Sequence, residues 1–444
     1  MDRYELVVRA ASVLIDGGFR AAEIGVAGGR IAAISSTPLE GAAIVTLDAD
    51  EVLIPGLVDS HVHVNEPGRT DWEGFASATR AAAAGGVTTI IDMPLNSIPA
   101  TVTVEALETK RASAAPQSIV DVGFWGGAVP QNLGSLESLH DAGVFGFKAF
   151  LAPSGVDEFE HLDAGQLDRA LDEIAGFDGL LIVHAEDPAV LDAHANAGGV
   201  DYDRFVDSRP DEAETTAIER VIAGVRRTGA RAHILHLSSA EALPALRAAR
   251  AEGLPITVET CPHYLSFASE LIPDAATQFK CCPPIRSSAN RDALWQALLD
   301  GDIDIVVTDH SPSTAALKFA HGGDFGLAWG GIAGLQVGLA AVWTEASARG
   351  IPLESVLGWM STGPADLVGL PSKGRIAVGA AADLVVFAPN ERFTVHAEAL
   401  QHKNPVSAYD GASLHGVVRR TWLSGHPVST APDAEARGRL VEAG

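Results

Sequence analysis

Cysteine is scarce in this chain, with three in 444 residues: Cys281 and Cys282 are adjacent and Cys261 stands apart. No disulfide framework is expected from that pattern, and a reduced, cytoplasmic compartment fits it. Basic residues are also few. Lys and Arg number 31 against 57 Asp and Glu, a formal charge of -26. That balance repels phosphate backbones and does not attract anionic lipid, which argues against nucleic-acid and membrane partners. No apolar run approaches the ~20 residues of a membrane span, and "MDRYELVVRAASVL" has none of the marks of a signal peptide. Internal repeats and low-complexity linkers are absent too.

What is there is a large apolar share, 47% hydrophobic against 20% charged, the balance of a globular chain with a big core. Length alone suggests two or three domains, but α/β barrels exceed that scale as one unit. Both ends are β-rich and punctuated by glycine, as in "AAEIGVAGGRIAAIS" and "GRIAVGAAADLVVFAPN". Between them apolar runs at 53–61, 88–93, 118–125, 146–150, 180–184, 232–236, 255–259 and 303–309 alternate with helical stretches at 72–84, 167–175, 212–228, 240–252 and 290–299. Such runs suit parallel strands buried on both faces. The expected class is α/β: a (β/α)8 barrel over residues 54–375, with a small β-sandwich domain assembled from 1–53 and 376–444. A doubly wound open sheet is the alternative, but the glycine-rich phosphate fingerprint it would normally carry after its first strand is missing.

Polar residues collect where the predicted strands stop, which in a barrel is the rim that carries active sites. His61 and His63, two apart, share a strand face. His184 ends "GLLIVH", His236 ends "RAHILH", Asp309 ends "IDIVVTD", and Lys148 sits near the end of the fourth strand. One such histidine is a common structural residue; four, with an aspartate, form the donor set of zinc and similar divalent metals. Lys148 admits two readings. It is an ordinary rim lysine, or an amine freed by burial to add carbon dioxide and bridge metals as a carbamate.

The segments "GLVDSHVHVNEPGRTDWEGF", "GGVTTIIDMPLNSIPAT", "GFKAFLAPSGV", "VHAED", "ETCPHYL", "CCPPIR", "TDHSP", "WGGIAGLQ" and "KGRIAVGAAADLVVF", in this order along nearly the whole chain, resemble the cyclic amidohydrolases. That branch includes dihydroorotase, hydantoinase and allantoinase. The resemblance implies two divalent ions, zinc with cobalt or manganese as alternatives. It implies His61, His63 and Asp309 on one and His184 and His236 on the other. A carboxylated Lys148, made with carbon dioxide, and a hydroxide would bridge the two, with Asp309 as proton shuttle. It also implies a homotetramer.

Within the branch the departures point towards allantoinase. Asn65 stands where dihydroorotase has an arginine for a substrate carboxylate, and "KAFLAPSGV" lacks the tyrosine usual in hydantoinases. Ala149 replaces a frequent cysteine, with little effect expected because strand neighbours face oppositely. Candidate substrate contacts are Asn96, Cys282, Ser311 and Gly330. Asn96 is equally a turn residue and Ser311 equally a helix cap. Asp59 and Glu186 are expected to support the ligands, Glu186 alternatively as a solvated loop acid. Cys261 and His263 make a weak second metal motif, and His194, His321, His402 and His415 are read as surface residues. A hydantoinase or dihydropyrimidinase-like enzyme is the second reading. A non-catalytic assembly protein on the same scaffold is the third, disfavoured by the complete ligand set.

Overall fold

The computed structural model describes residues 4–444. The first apolar run divides into two strands. Val52–Pro55 pairs antiparallel with Leu384–Thr394, whereas Leu57–Val62 (β1) pairs in parallel with Val87–Asp92 (β2). Gly56 is the passage between the two sheets, where a Cβ would lie 2.1 Å from the Thr88 hydroxyl; only glycine fits so close to a neighbouring strand.

From β2 the barrel continues through Asp121–Phe124 (β3), which leads across Trp125 into Gly126–Gly127, then Phe147–Phe150 (β4), Leu180–His184 (β5), Arg231–Ile234 (β6), Ile256–Thr260 (β7) and Ile305–Val306 (β8). All these pairings are parallel. A parallel bridge between Val62 and His310 closes the ring, reinforced by the His63 amide donating to the His310 carbonyl at 2.8 Å. Every residue of β1 to β5 is buried, as strands covered on both faces must be. The eighth predicted strand is the most shortened, to Ile305–Val306, and beyond it Asp309 adopts a left-handed φ of 44°, outside the extended region.

Helices cover the outside at Phe75–Ala84, Val104–Ala114, Ala164–Gly176, Asp211–Thr228, Leu243–Ala251 and Ser288–Asp300. A capping box of Asp163 and Gln166 starts the third of these, satisfying orphan amides in its first turn. The helix expected from residue 72 starts only at Phe75, since Glu73 is buried and turned to the Lys403 amide and the His310 ring. Among the described residues no helix is long and apolar enough to cross a membrane.

Strands from both ends of the chain form one eight-stranded mixed sheet, with Leu6, Val8, Ile24, Leu53, Leu384 and Trp422 in its core. The final residues leave that sheet and run along β3: the Val122 amide donates to Arg439 and its carbonyl accepts from Val441, both at 2.9 Å.

A buried ion pair fixes the loop that leaves β1. Lys110 Nζ lies 2.7 Å from Asp92 Oδ2 and 2.8 Å from the Met93 carbonyl. The other Asp92 oxygen accepts from the Val64 amide at 2.8 Å. Removing one member strands the other charge in the interior. Lys110→Ala should therefore lower the unfolding free energy by about 3–5 kcal/mol, read from denaturant melts; a loss below about 1 kcal/mol would refute this role for the pair.

Candidate active site

At the C-terminal rim of the barrel is a cavity of about 360 Å³. His61, His63, Lys148, His184, His236 and Asp309 all line it. They come from the ends of five different strands, so barrel closure alone brings them together.

The first group is His61, His63 and Asp309. The two Nε2 atoms lie 3.1 and 3.5 Å from the same Asp309 Oδ1. His61 Nε2 is buried and faces the Asp309 carboxylate without a well-aligned hydrogen bond. Burial opposes a charge on His61, yet the carboxylates of Asp309 and Glu259 outweigh it and hold the imidazolium up to about 9. Burial dominates at His63 and brings it down to about 4. Asp309 stays well below the usual carboxylate range: burial opposes its charge, but His61 and His63 more than compensate. Asp59 lies beneath, accepting the His61 amide at 3.1 Å and the Thr308 hydroxyl at 2.6 Å, and so ties β1 to the end of β8.

The second group is His184 and His236, with Nδ1 of the first 3.0 Å from Nε2 of the second. Glu186 accepts from His184 Nε2 at 2.7 Å and is gripped by Arg209 through Nε at 2.9 Å and Nη2 at 2.5 Å. Glu186 is therefore a buried orienting carboxylate, not a solvated acid. It keeps the His184 proton on Nε2 and leaves a lone pair on Nδ1. Burial lowers His184, and His236 well below its ordinary value, so both are neutral donors.

Lys148 stands between the groups, close enough for its charge to depress all four histidines. Its Nζ is 4.8 Å from the centre of the Phe150 ring, and burial brings the ammonium down to about 8. Neutral imidazoles, a carboxylate and an unpartnered buried nitrogen make a donor set that fits divalent cations.

Uncharged polar groups also line the cavity. Asn96, Cys282, Ser311 and Gly330 line the cavity. The Asn96 amide donates to Asn65 Oδ1 at 3.1 Å. Asn65 is buried behind it and is not part of the cavity wall. Ser311 donates to Asp309 Oδ1 at 2.7 Å; it caps no helix, since Thr314 caps the one that follows. Asn65, Asn96, His236 and Asp309 all have positive φ, strain of the kind that gathers at functional sites.

Several residues escaped the sequence reading. Glu259 touches His61 Nδ1 at 2.5 Å, and as a carboxylate on a strand approaching the same rim it was as visible as Asp309. His310 is buried beside Asp309 and lies 3.3 Å from Glu73. Arg209, Lys280 and Trp329 also line the cavity; they lie on loops, with no periodicity to mark them. His402, expected at the surface, is buried with its ring centre 5.7 Å from that of His310, because its loop covers Glu73. His194 and His321 are exposed, and His415 is half-buried in the strand Ser413–Leu423. Cys261 and His263 come within 4.8 Å of Asp309. They back the site from below, outside the cavity wall.

Comparison with known proteins agrees with this geometry. The family model described as "Amidohydrolase family" matches residues 52–428. The chain is 57% identical over 444 residues to an allantoinase of Streptomyces avermitilis, covering 99% of each. It is 47% identical over 384 residues to an allantoinase of Saccharomyces cerevisiae, covering 85% of this chain and 83% of that one. Among solved structures, L-hydantoinase (dihydropyrimidinase) from Arthrobacter aurescens superposes with a TM-score of 0.92 at 30% identity, over 99% of this chain and 100% of that one. A barrel whose rim gathers histidines, an aspartate and a buried lysine, matched along most of its length by that family's model, belongs to the amidohydrolase family.

Proposed function

We propose that the cavity takes allantoin and that the chain hydrolyses the cyclic amide of its hydantoin ring to give allantoate. The observation that carries this reading is a cavity with a metal-ligand donor set at one end and, among the described residues, no free cation for a substrate carboxylate at the other. Arg209 is spent on Glu186, and Lys280 Nζ on the carbonyls of Ala328 and Gly326 at 2.6 and 3.3 Å. Asn65, where dihydroorotase would place its arginine, turns to Asn96 instead. A neutral ring rich in amides needs donors and acceptors such as Asn96 rather than a counter-ion. Identity of 57% to an allantoinase over the whole length supports the same substrate. A hydantoinase-like specificity is the second reading, favoured by the superposition on L-hydantoinase.

In this reading His61, His63 and Asp309 would hold one divalent ion and His184 and His236 the other. The ions are zinc, with cobalt or manganese as alternatives. Lys148 would serve both as a carbamate: its free amine adds to the carbon of carbon dioxide, a nitrogen–carbon bond forms as a carbon–oxygen π bond opens to a carboxylate, and one amine proton is released. A lysine brought down to about 8 supplies that free amine near neutral pH. When bound, such ions lower the pKa of a shared water and polarise the scissile carbonyl.

The remaining chemistry rests on side chains. Asp309, ionised and held by the Ser311 hydroxyl at 2.7 Å, takes the proton of the attacking water as the oxygen–carbon bond forms. It passes that proton to the ring nitrogen as the carbon–nitrogen bond breaks. Asn96, its amide steadied by Asn65, orients the ring. We also infer a homotetramer in the cytoplasm, on the family resemblance and on three cysteines that are all free; light scattering of the purified protein tests the assembly.

Lys148→Ala should reduce metal content from two ions per chain and abolish turnover, with short carboxylic acids plus metal restoring part of it. Two ions and full activity in that variant would falsify the carbamate. Asp309→Asn should keep most of the metal while kcat falls roughly 10²–10⁴-fold, and a near-normal rate removes Asp309 as shuttle. On a panel of allantoin, hydantoin, dihydrouracil and dihydroorotate, the metal-replete enzyme should prefer allantoin. Preference for dihydroorotate would overturn the role given to Asn65, and preference for hydantoin or dihydrouracil would favour the second reading.

A further inference from the structure

Strand β7 carries a carboxylate outside the cavity wall that touches both groups of ligands. Glu259 is only 1% exposed. Its Oε1 is 2.5 Å from His61 Nδ1 and 3.1 Å from the backbone amide of His236. Its Oε2 is 3.0 Å from Nε2 of His233, a buried histidine of β6 whose Nδ1 meets the Thr257 hydroxyl at 2.7 Å. Thr257 and Glu259 are two apart on β7 and so share a face. His233 is therefore held at both nitrogens by β7.

We propose that Glu259 is a positioning residue that sets both halves of the metal centre at once, an inference that rests on the two-ion reading above. On one side it accepts the hydrogen bond of His61 Nδ1–H, which turns Nε2 towards Asp309 as the nitrogen that would exchange its proton for a cation. On the other it anchors the backbone that presents His236, whose φ of 35° is one that an L-residue keeps only when its neighbours impose it. One carboxylate thus links a ligand of the first ion to a ligand of the second. His184, by contrast, has its own orienting partner in Glu186.

The variants separate the two contacts. Glu259→Gln keeps the shape: its amide oxygen still accepts from His61 and His236 while its NH2 turns to His233, so only the charge behind His61 is lost. Glu259→Leu removes all three acceptor roles. Metal-free protein is titrated with cobalt(II), reading affinity by calorimetry and geometry by visible absorption. Wild type should take two ions. In Glu259→Gln one ion should weaken roughly tenfold and the other stay as in wild type. In Glu259→Leu both should weaken roughly 10–100-fold with altered cobalt absorption at both. Thr257→Val, which leaves Glu259 on His61 and His236, should load within a few-fold of wild type.

Two ions at wild-type affinity with an unchanged spectrum in Glu259→Leu, a loss confined to one ion there, or an equal loss in Thr257→Val each overturns the proposal. Should Glu259→Leu not fold, Glu259→Asp replaces it with the same expectation, because it retracts the carboxylate from both groups. Wild-type protein that binds fewer than two ions fails the two-ion reading itself, whatever the variants do.

Discussion

Burial of ionisable groups at the end of a barrel is the constraint from which the rest of this structure follows. A charge removed from water is tolerated only with partners, and here the partners are the functional groups of one another. Asp309 is ionised because His61 and His63 face it. His61 is charged because Asp309 and Glu259 flank it. His63, His184 and His236 have no such excess of acid and are neutral. A cation placed among them exchanges for a proton and satisfies lone pairs that otherwise face each other, so the arrangement is poised for metal before any metal arrives.

The layers around the site serve the same constraint. Asp59, Glu186 and Glu259 each contact a rim histidine from behind, and each is held in turn by Thr308, Arg209 or His233. Lys110 with Asp92, and Glu73 with His310, fix the loops that leave β1 and β8. These contacts restrain the rim side chains more tightly than loops left to themselves would. The left-handed residues Asn65, Asn96, His236 and Asp309 are the cost of that precision.

The cations at the cavity wall are bound by the same constraint. Arg209 and Lys280 both reach the cavity wall, and either could receive a carboxylate if it were free. Each is instead committed to neighbours within the protein, so the open end of the cavity offers amide and hydroxyl chemistry. Asn65 contributes from behind the wall, through Asn96. It accepts from the Asn96 amide and so sets the posture of a side chain that lines the cavity.

Much of this was legible in the residues alone, because barrel strands have a period and a rim. Apolar runs buried on both faces marked the strands, and the polar residue closing each run marked the site: His61, His63, Lys148, His184, His236 and Asp309 were all visible as strand ends. What lay beyond reach depends on distance in space rather than along the chain. Glu259 meets His61 across 198 positions, and Asp59 meets Thr308 across 249. His402 is buried because a loop more than 300 residues from Glu73 folds over it. Local pattern determined which residues would arrive at the rim and that they could hold metal. Only closure of the barrel, which sets the neighbours and so the charge of each buried group, decided which imidazole is protonated, which carboxylate orients which ligand, and which cations are left for the substrate.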